Sequence, residues 1–188
     1  MNGGVVVLAS GTGSLFQAIL NSDIGPLVCS LVTDVPDCGA VDIARSAGIP
    51  VQVVPLTIGL SRDDWNRDLA TAVAQWNPVL IVSAGFMRIL GPLFVDSFPN
   101  LIINSHPALL PDFPGAHAVR DAISAGVTHT GCTIHFVDHG VDTGPIVAQE
   151  SVDVQPGDTE EMLHERIKVV ERVLLPATIK QLLQSNGI

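Results

Sequence analysis

Three features of the 188-residue sequence predict an α/β fold, in which a mostly parallel sheet with helices on both faces gives way to an antiparallel portion and a long C-terminal helix. Short aliphatic runs alternate with helical patterns through the first half, the rhythm of βαβ units. The runs are nearly continuous in apolar residues, as strands buried on both faces are. After a proline-rich segment at 107–114 the character changes to two strands and one long amphipathic stretch.

The first run, Val5 to Ala9, leads into a helical pattern over Leu15 to Leu20. Leu27 to Thr33 precedes Ala40 to Ala47, and Val51 to Val54 precedes Trp65 to Trp76. Val79 to Ser83 follows, then a short helical piece at Pro92 to Ser97 and a strand at Leu101 to Ser105. Pro107 and Pro111 stop that strand from continuing as a regular ladder. A helix is expected from Ala116 to Ala125, then strands over Cys132 to Phe136 and Ile146 to Val152, around an Asp- and Gly-rich loop, Val137 to Pro145. Asp158-Thr159-Glu160-Glu161 reads as a helix cap. Met162, Leu163, Ile167, Val170, Leu174 and Leu175 then recur at helical spacing, with a kink or interruption expected at Pro176.

Composition narrows the function classes. Hydrophobic content of 47% against 15% charged residues describes a globular chain with an aliphatic core, since Tyr is absent and aromatics are only 4%. At this length one domain over 1–188 is expected. The net charge of -10, with nine Lys and Arg, argues against a nucleic-acid partner. Any anionic ligand must then be held by backbone amides and a few placed cations. No apolar run approaches the roughly 20 residues of a membrane span. With no signal-like N-terminus, a cytoplasmic enzyme is the default. Cys29, Cys38 and Cys132 show neither paired short spacing nor an even count, so no disulfide framework or zinc site is indicated, and the histidines lack metal-site spacing.

Four segments could carry chemistry. Asn104, Ser105 and His106 close the run that begins at Leu101, which places Asn104 and His106 at the carboxyl end of a strand, where open α/β sheets bind ligands. An amide donor beside an imidazole suits a tetrahedral oxyanion. A capping Asn and a solvated His fit the same residues. Ser105 points to the opposite side by alternation and is expected to be replaceable.

Gly11-Thr12-Gly13-Ser14 turns from the first strand into a helix. Its amides fit one phosphate, or the segment is only a tight βα turn; Phe16 breaks the dinucleotide glycine pattern and no P-loop Lys is present. Gly85-Phe86-Met87-Arg88-Ile89-Leu90 offers an apolar wall for a flat heterocycle and, in Arg88, a partner for a carboxylate, or it is a hydrophobic turn under the sheet. In Asp138-His139-Gly140-Val141-Asp142-Thr143-Gly144-Pro145, Asp142 can orient an imidazole and favour its protonated form, or the segment is a solvated turn. His135 falls within a strand, where a structural role fits.

Gly11 to Ser14, Gly85 to Arg88, Asn104 to Pro111, Phe113-Pro114-Gly115 and Val141 to Pro145 together resemble the folate-dependent formyltransferase family, over nearly the whole chain. The resemblance implies a Rossmann-like sheet that moves a formyl group from 10-formyltetrahydrofolate, as co-substrate and without a metal, to the amine of glycinamide ribonucleotide in de novo purine biosynthesis. It implies Asn104, His106 and Asp142 as the catalytic set, and the ribonucleotide phosphate on Gly11, Thr12, Gly13 and Ser14, with Glu171 meeting the amine. It further implies a folate site of Met87, Ile89, Leu90, Val137, Asp138, Gly140 and Val141, with Arg62 or Arg88 near the glutamate carboxylate. The phosphate-binding half would then span about 1–100 and the folate and catalytic half about 101–188. Leu15 stands where many members have Asn, and the chain ends at Ile188, before several relatives do. Two alternatives stay open: hydrolysis of the same folate, as by a formyltetrahydrofolate deformylase, and a non-catalytic folate- or nucleotide-binding protein. A homodimer through apolar helix positions is compatible with the sequence.

Overall fold

The computed structural model describes residues 3–185. Seven strands form one sheet: β1 (Val5–Leu8), β2 (Val28–Thr33), β3 (Val51–Val53), β4 (Leu80–Ser83), β5 (Ile102–His106), β6 (His129–Phe136) and β7 (Ile146–Asp153). Their order across the sheet is β3-β2-β1-β4-β5-β6-β7. The first five are parallel, whereas β5 with β6 and β6 with β7 are antiparallel. Six helices accompany them: α1 (Ser14–Leu20), α2 (Gly39–Ser46), α3 (Arg62–Ala74), α4 (Pro92–Ser97), α5 (Ala118–Ser124) and α6 (Glu160–Ser185). Chain order reverses between β1 and β4, the switch point at which open sheets leave a crevice.

Alternation along the central strands feeds two cores. Val5, Val7, Leu31, Val82 and Ile103 point to one face, where Phe16 and Ile19 of α1, Ala40 and Ala44 of α2, and Leu175 and Ile179 of α6 cover them. Val6, Leu8, Val32, Ile81 and Ile102 point to the other, under Trp65 and Leu69 of α3 and Phe94 of α4. All four residues of β1 and of β4 are buried, which is why those runs carry no polar alternation. The fully buried Trp65 keeps its polar handle satisfied, with the indole Nε1 donating to the Val54 carbonyl at 2.8 Å.

Element ends differ from the sequence expectation for local reasons. α3 starts one turn earlier than the apolar pattern, because the Ser61 hydroxyl accepts from the Asp64 amide and caps it. β6 begins at His129 rather than Cys132, its extra residues pairing with the far end of β7. Thr159 caps α6 by accepting from the Met162 amide. No interruption occurs at Pro176: α6 runs unbroken for 26 residues, with Pro176 buried within it. Among the described residues no helix is long and apolar enough to cross a membrane.

Candidate active site

The carboxyl ends of β1, β4 and β5 lie side by side, and the loops that leave them form the site. β5 ends at His106 because Pro107 follows, so Asn104 and His106 share the face of Ile102 at the last rung of the strand. The antiparallel register sets His135 of β6 directly opposite Asn104. The loop after β6 returns Asp142 to the same place, with φ 56 at Asp142, a left-handed backbone that Asp tolerates better than most residues.

Asp142 bridges two imidazoles. Its Oδ2 lies 3.3 Å from His106 Nδ1 and its Oδ1 lies 3.5 Å from His135 Nε2. Oδ2 also accepts from the Gly115 amide at 2.8 Å. Burial pushes this carboxyl up, but hydrogen bonding to His135, the Gly115 amide and the charges of both imidazoles outweigh that and hold it below the usual aspartate range. His106 Nε2 meets the Phe113 carbonyl at 2.9 Å. Both ring nitrogens of His106 thus face acceptors, and only the doubly protonated ring donates at both. Phe113 has φ 53, rare for so bulky a residue, and this backbone turn sits between the two contacts from the 113–115 segment to His106 and Asp142.

His135 organises Asn104. Its Nδ1 meets the Phe136 carbonyl at 2.8 Å and therefore donates, leaving Nε2 of the neutral ring to accept from Asn104 Nδ2 at 3.2 Å. One N–H of the half-buried Asn104 amide is fixed in this way and the second is left for a ligand. The same Nε2 can serve Asp142 only when the ring is protonated. Sequence spacing gave His135 no more than a structural role, and only the β5–β6 register brings it into the cluster.

The glycine turn is open to an anion. Gly13 has φ 79, and a Cβ there would stand 2.7 Å from Ala40 Cα, so the turn and its approach to α2 require glycine. The Gly11 and Gly13 carbonyls are used by Ala40 and Gln17, whereas among the described residues the amides of Gly11, Thr12, Gly13 and Ser14 have no acceptor. Leu15 is buried in the core with Phe16 and Ile19.

The loop after β4 presents apolar surface beside this turn: Met87 is 73% exposed and Ile89 64%, while Leu90 packs on the core under α3. An Arg62 Nη donates to the Ile89 carbonyl and its guanidinium stacks 4.8 Å over Trp65, bracing the loop. In the loop after β6, Val141 is exposed, Val137 packs inward, and Asp138 accepts from the Gly140 amide and the Thr143 hydroxyl. Asp138 thus shapes the turn that carries Asp142.

Glu171 stands elsewhere. It lies on the α6 side of the sheet, 4% exposed, and accepts from the Ser105 hydroxyl at 2.6 Å. Burial raises its pKa above the usual range, against the lowering effects of Ser105, Lys168 and Arg172. Ser105 is therefore not the spare residue its outward alternation implies. Nearby, burial first and then the charges of Glu171 and Glu150 push the Cys132 thiol up to about 12, so it stays protonated. Among the described residues no group of three His, Cys, Asp or Glu side chains is placed to hold a metal ion.

Residues 4–179 match the family described as formyl transferase. The chain belongs to the formyl transferase family. A phosphoribosylglycinamide formyltransferase of Mycobacterium tuberculosis (strain ATCC 25618 / H37Rv) is 52% identical over 180 residues, covering 95% of this chain and 84% of the relative. The enzyme of the same name from Escherichia coli (strain K12) is 35% identical over 179 residues, covering 93% and 84%. The crystal structure of glycinamide ribonucleotide transformylase 1 from Symbiobacterium toebii superposes with a TM-score of 0.93 at 36% identity, over 97% of this chain and 88% of that one. In this member of the formyl transferase family the glycine turn after β1, the Met87–Leu90 segment after β4 and the Asn104–His106 end of β5 follow three adjacent strands.

Proposed function

We propose that this chain transfers the formyl group of 10-formyltetrahydrofolate to the amine of glycinamide ribonucleotide in purine biosynthesis. The observation that carries the reading is Asp142 within reach of His106, beside an Asn104 amide with one N–H unused, at the carboxyl end of β5. The 52% identity to the Mycobacterium tuberculosis phosphoribosylglycinamide formyltransferase supports the choice of acceptor.

The ribonucleotide phosphate rests on the amides of Gly11, Thr12, Gly13 and Ser14, which suit an anion in a chain poor in cations. The pterin lies against Met87, Ile89 and Leu90 and against the loop of Val137, Asp138, Gly140 and Val141, with its glutamate carboxylate toward Arg88 and Arg62. The substrate amine attacks the formyl carbon, and the carbonyl oxygen of the adduct becomes O⁻. Asn104 donates its free N–H to that oxygen. His106 donates from Nδ1, giving over its longer contact, that to Asp142, and keeping Nε2 on the Phe113 carbonyl. Asp142, or a water it holds, takes the proton from the attacking nitrogen and delivers it to folate N10 as the bond from carbon to N10 breaks. Glu171, which the family resemblance gives to the amine, lies on the far face of β5 with its carboxyl held by the Ser105 hydroxyl. A homodimer of this enzyme would use Met162, Val169 and Val173, exposed apolar positions of α6.

Mass spectrometry of the ribonucleotide after incubation with enzyme and 10-formyltetrahydrofolate tests the proposal. Formylated glycinamide ribonucleotide is the expected product, and unmodified ribonucleotide with all folate consumed would refute transfer.

A further inference from the structure

Asp34, one residue past β2, is the most enclosed acid beside the crevice: its side chain is 1% exposed. Three strand ends meet on it. Oδ1 accepts from the Ser10 hydroxyl at 2.5 Å, Oδ2 accepts from Arg88 Nε at 2.7 Å, and the Ser10 oxygen in turn accepts from the Met87 amide at 2.9 Å. The carboxylate thus joins the start of the glycine turn, at Ser10, to the first two residues of the apolar wall, Met87 and Arg88.

What this does to Arg88 is specific. With Nε pinned from below, the guanidinium plane is fixed, and among the described residues neither Nη has a protein acceptor. The Arg88 side chain is 42% exposed, so its two Nη groups form an open fork toward solvent. A planar fork of this kind binds a carboxylate in bidentate fashion. Arg62 is differently employed, with one Nη on the Ile89 carbonyl and its plane on Trp65.

We infer that Asp34 is a positioning residue for the donor's glutamate tail: it holds Arg88 as a pre-set carboxylate receptor. The inference rests on the proposed folate site. Without Asp34 the Arg88 side chain is free to rotate, and the long flexible arm must be ordered anew each time a tail binds.

Asp34→Asn tests this, since the amide keeps the size and an acceptor for Ser10 but removes the charge facing Arg88. KM is measured with 10-formyltetrahydrofolate and with the same formyl pterin-aminobenzoyl compound lacking glutamate. The expected result is a KM about tenfold higher for the glutamate-bearing donor, the effect of losing one charge-assisted hydrogen bond, with kcat little changed and no rise for the truncated donor. Arg88→Ala is expected to raise the same KM, and Asp34→Asn to add nothing on top of it. An equal rise for both donors would make Asp34 merely structural, and no rise for either would leave it idle; both overturn the inference while leaving formyl transfer standing. An Arg88→Ala enzyme with normal KM for the glutamate-bearing donor would overturn the tail assignment itself, and this inference with it. Should Asp34→Asn not fold, Arg88→Lys, which keeps the charge but not the pinned fork, must raise KM for the glutamate-bearing donor alone, and its failure to do so overturns the inference equally.

Discussion

The Ser105 hydroxyl donates to Glu171 Oε1 at 2.6 Å on the face of the sheet opposite Asn104 and His106. Two consecutive positions of one strand end therefore serve different tasks: 104 and 106 face the crevice, and 105 satisfies a buried carboxyl of α6.

Removing that donor leaves the carboxyl buried without its partner. Ser105→Ala is expected to lower stability by about 1–3 kcal/mol at neutral pH, the range for an unsatisfied buried polar group. Urea unfolding followed by circular dichroism measures it, and a midpoint equal to that of the unsubstituted chain would show that water replaces the hydroxyl.

Glu171 also makes a pH prediction. Its folded pKa lies above the unfolded value, so the stability it contributes is complete below the unfolded value and is lost as pH rises through the folded one. Glu171→Gln keeps the oxygen that accepts from Ser105 and cannot ionise. Relative to the unsubstituted chain, the variant is expected to gain melting temperature progressively as pH rises from the carboxylate range toward neutrality. Parallel melting curves across that window would place Glu171 in contact with water.

Asp142 runs the other way. Its depressed pKa means that its contribution is present above the ordinary aspartate range and is lost as pH falls through the folded value. The carboxylate is therefore fully available as a base at neutral pH. Asp142→Asn is expected to lower kcat by roughly 10²–10⁴, the usual contribution of general acid–base catalysis. Titration of folate binding by fluorescence should show little change in that variant, and loss of binding with loss of turnover would make Asp142 a binding residue only.

His135 should act through Asn104. His135→Ala frees the Asn104 amide to rotate, so a kcat reduction smaller than that of Asn104→Ala is expected. In the double variant the His135 effect should vanish, because residues that share one interaction are not additive. A double-mutant cycle in kcat decides this, and independent, multiplying effects would mean that His135 touches the reacting groups itself.

Much of this was legible beforehand, for identifiable reasons. Val5 to Leu8 and Leu80 to Val82 are apolar without alternation because both faces of the central sheet are covered, and the proline after His106 bounds a strand that runs one residue past the expected Ser105. Asn104, His106 and Asp142 meet because β5 and the loop after β6 share one rim of the sheet. Pairings across elements were not legible. His135 joins Asn104 only through the antiparallel register, Ser105 finds Glu171 only because α6 covers that face, and Asp34 meets Arg88 only where β2 and β4 flank β1. A period of two tells which residues share a face; it does not tell what covers the face. At Pro176 the alternative of an interruption is not realised, since α6 continues through a residue that local propensity reads as a break.

Amine dependence of tetrahydrofolate release tests the central claim most directly. Purified protein is given 10-formyltetrahydrofolate with and without glycinamide ribonucleotide, and the absorbance change on loss of the formyl group is followed. Formyl transfer predicts release only when the ribonucleotide is present, falling by roughly a hundredfold or more in His106→Ala, in line with loss of an oxyanion donor. Release at the same rate without the amine would contradict the account and make the chain a hydrolase, and release in neither mixture would make it a binding protein.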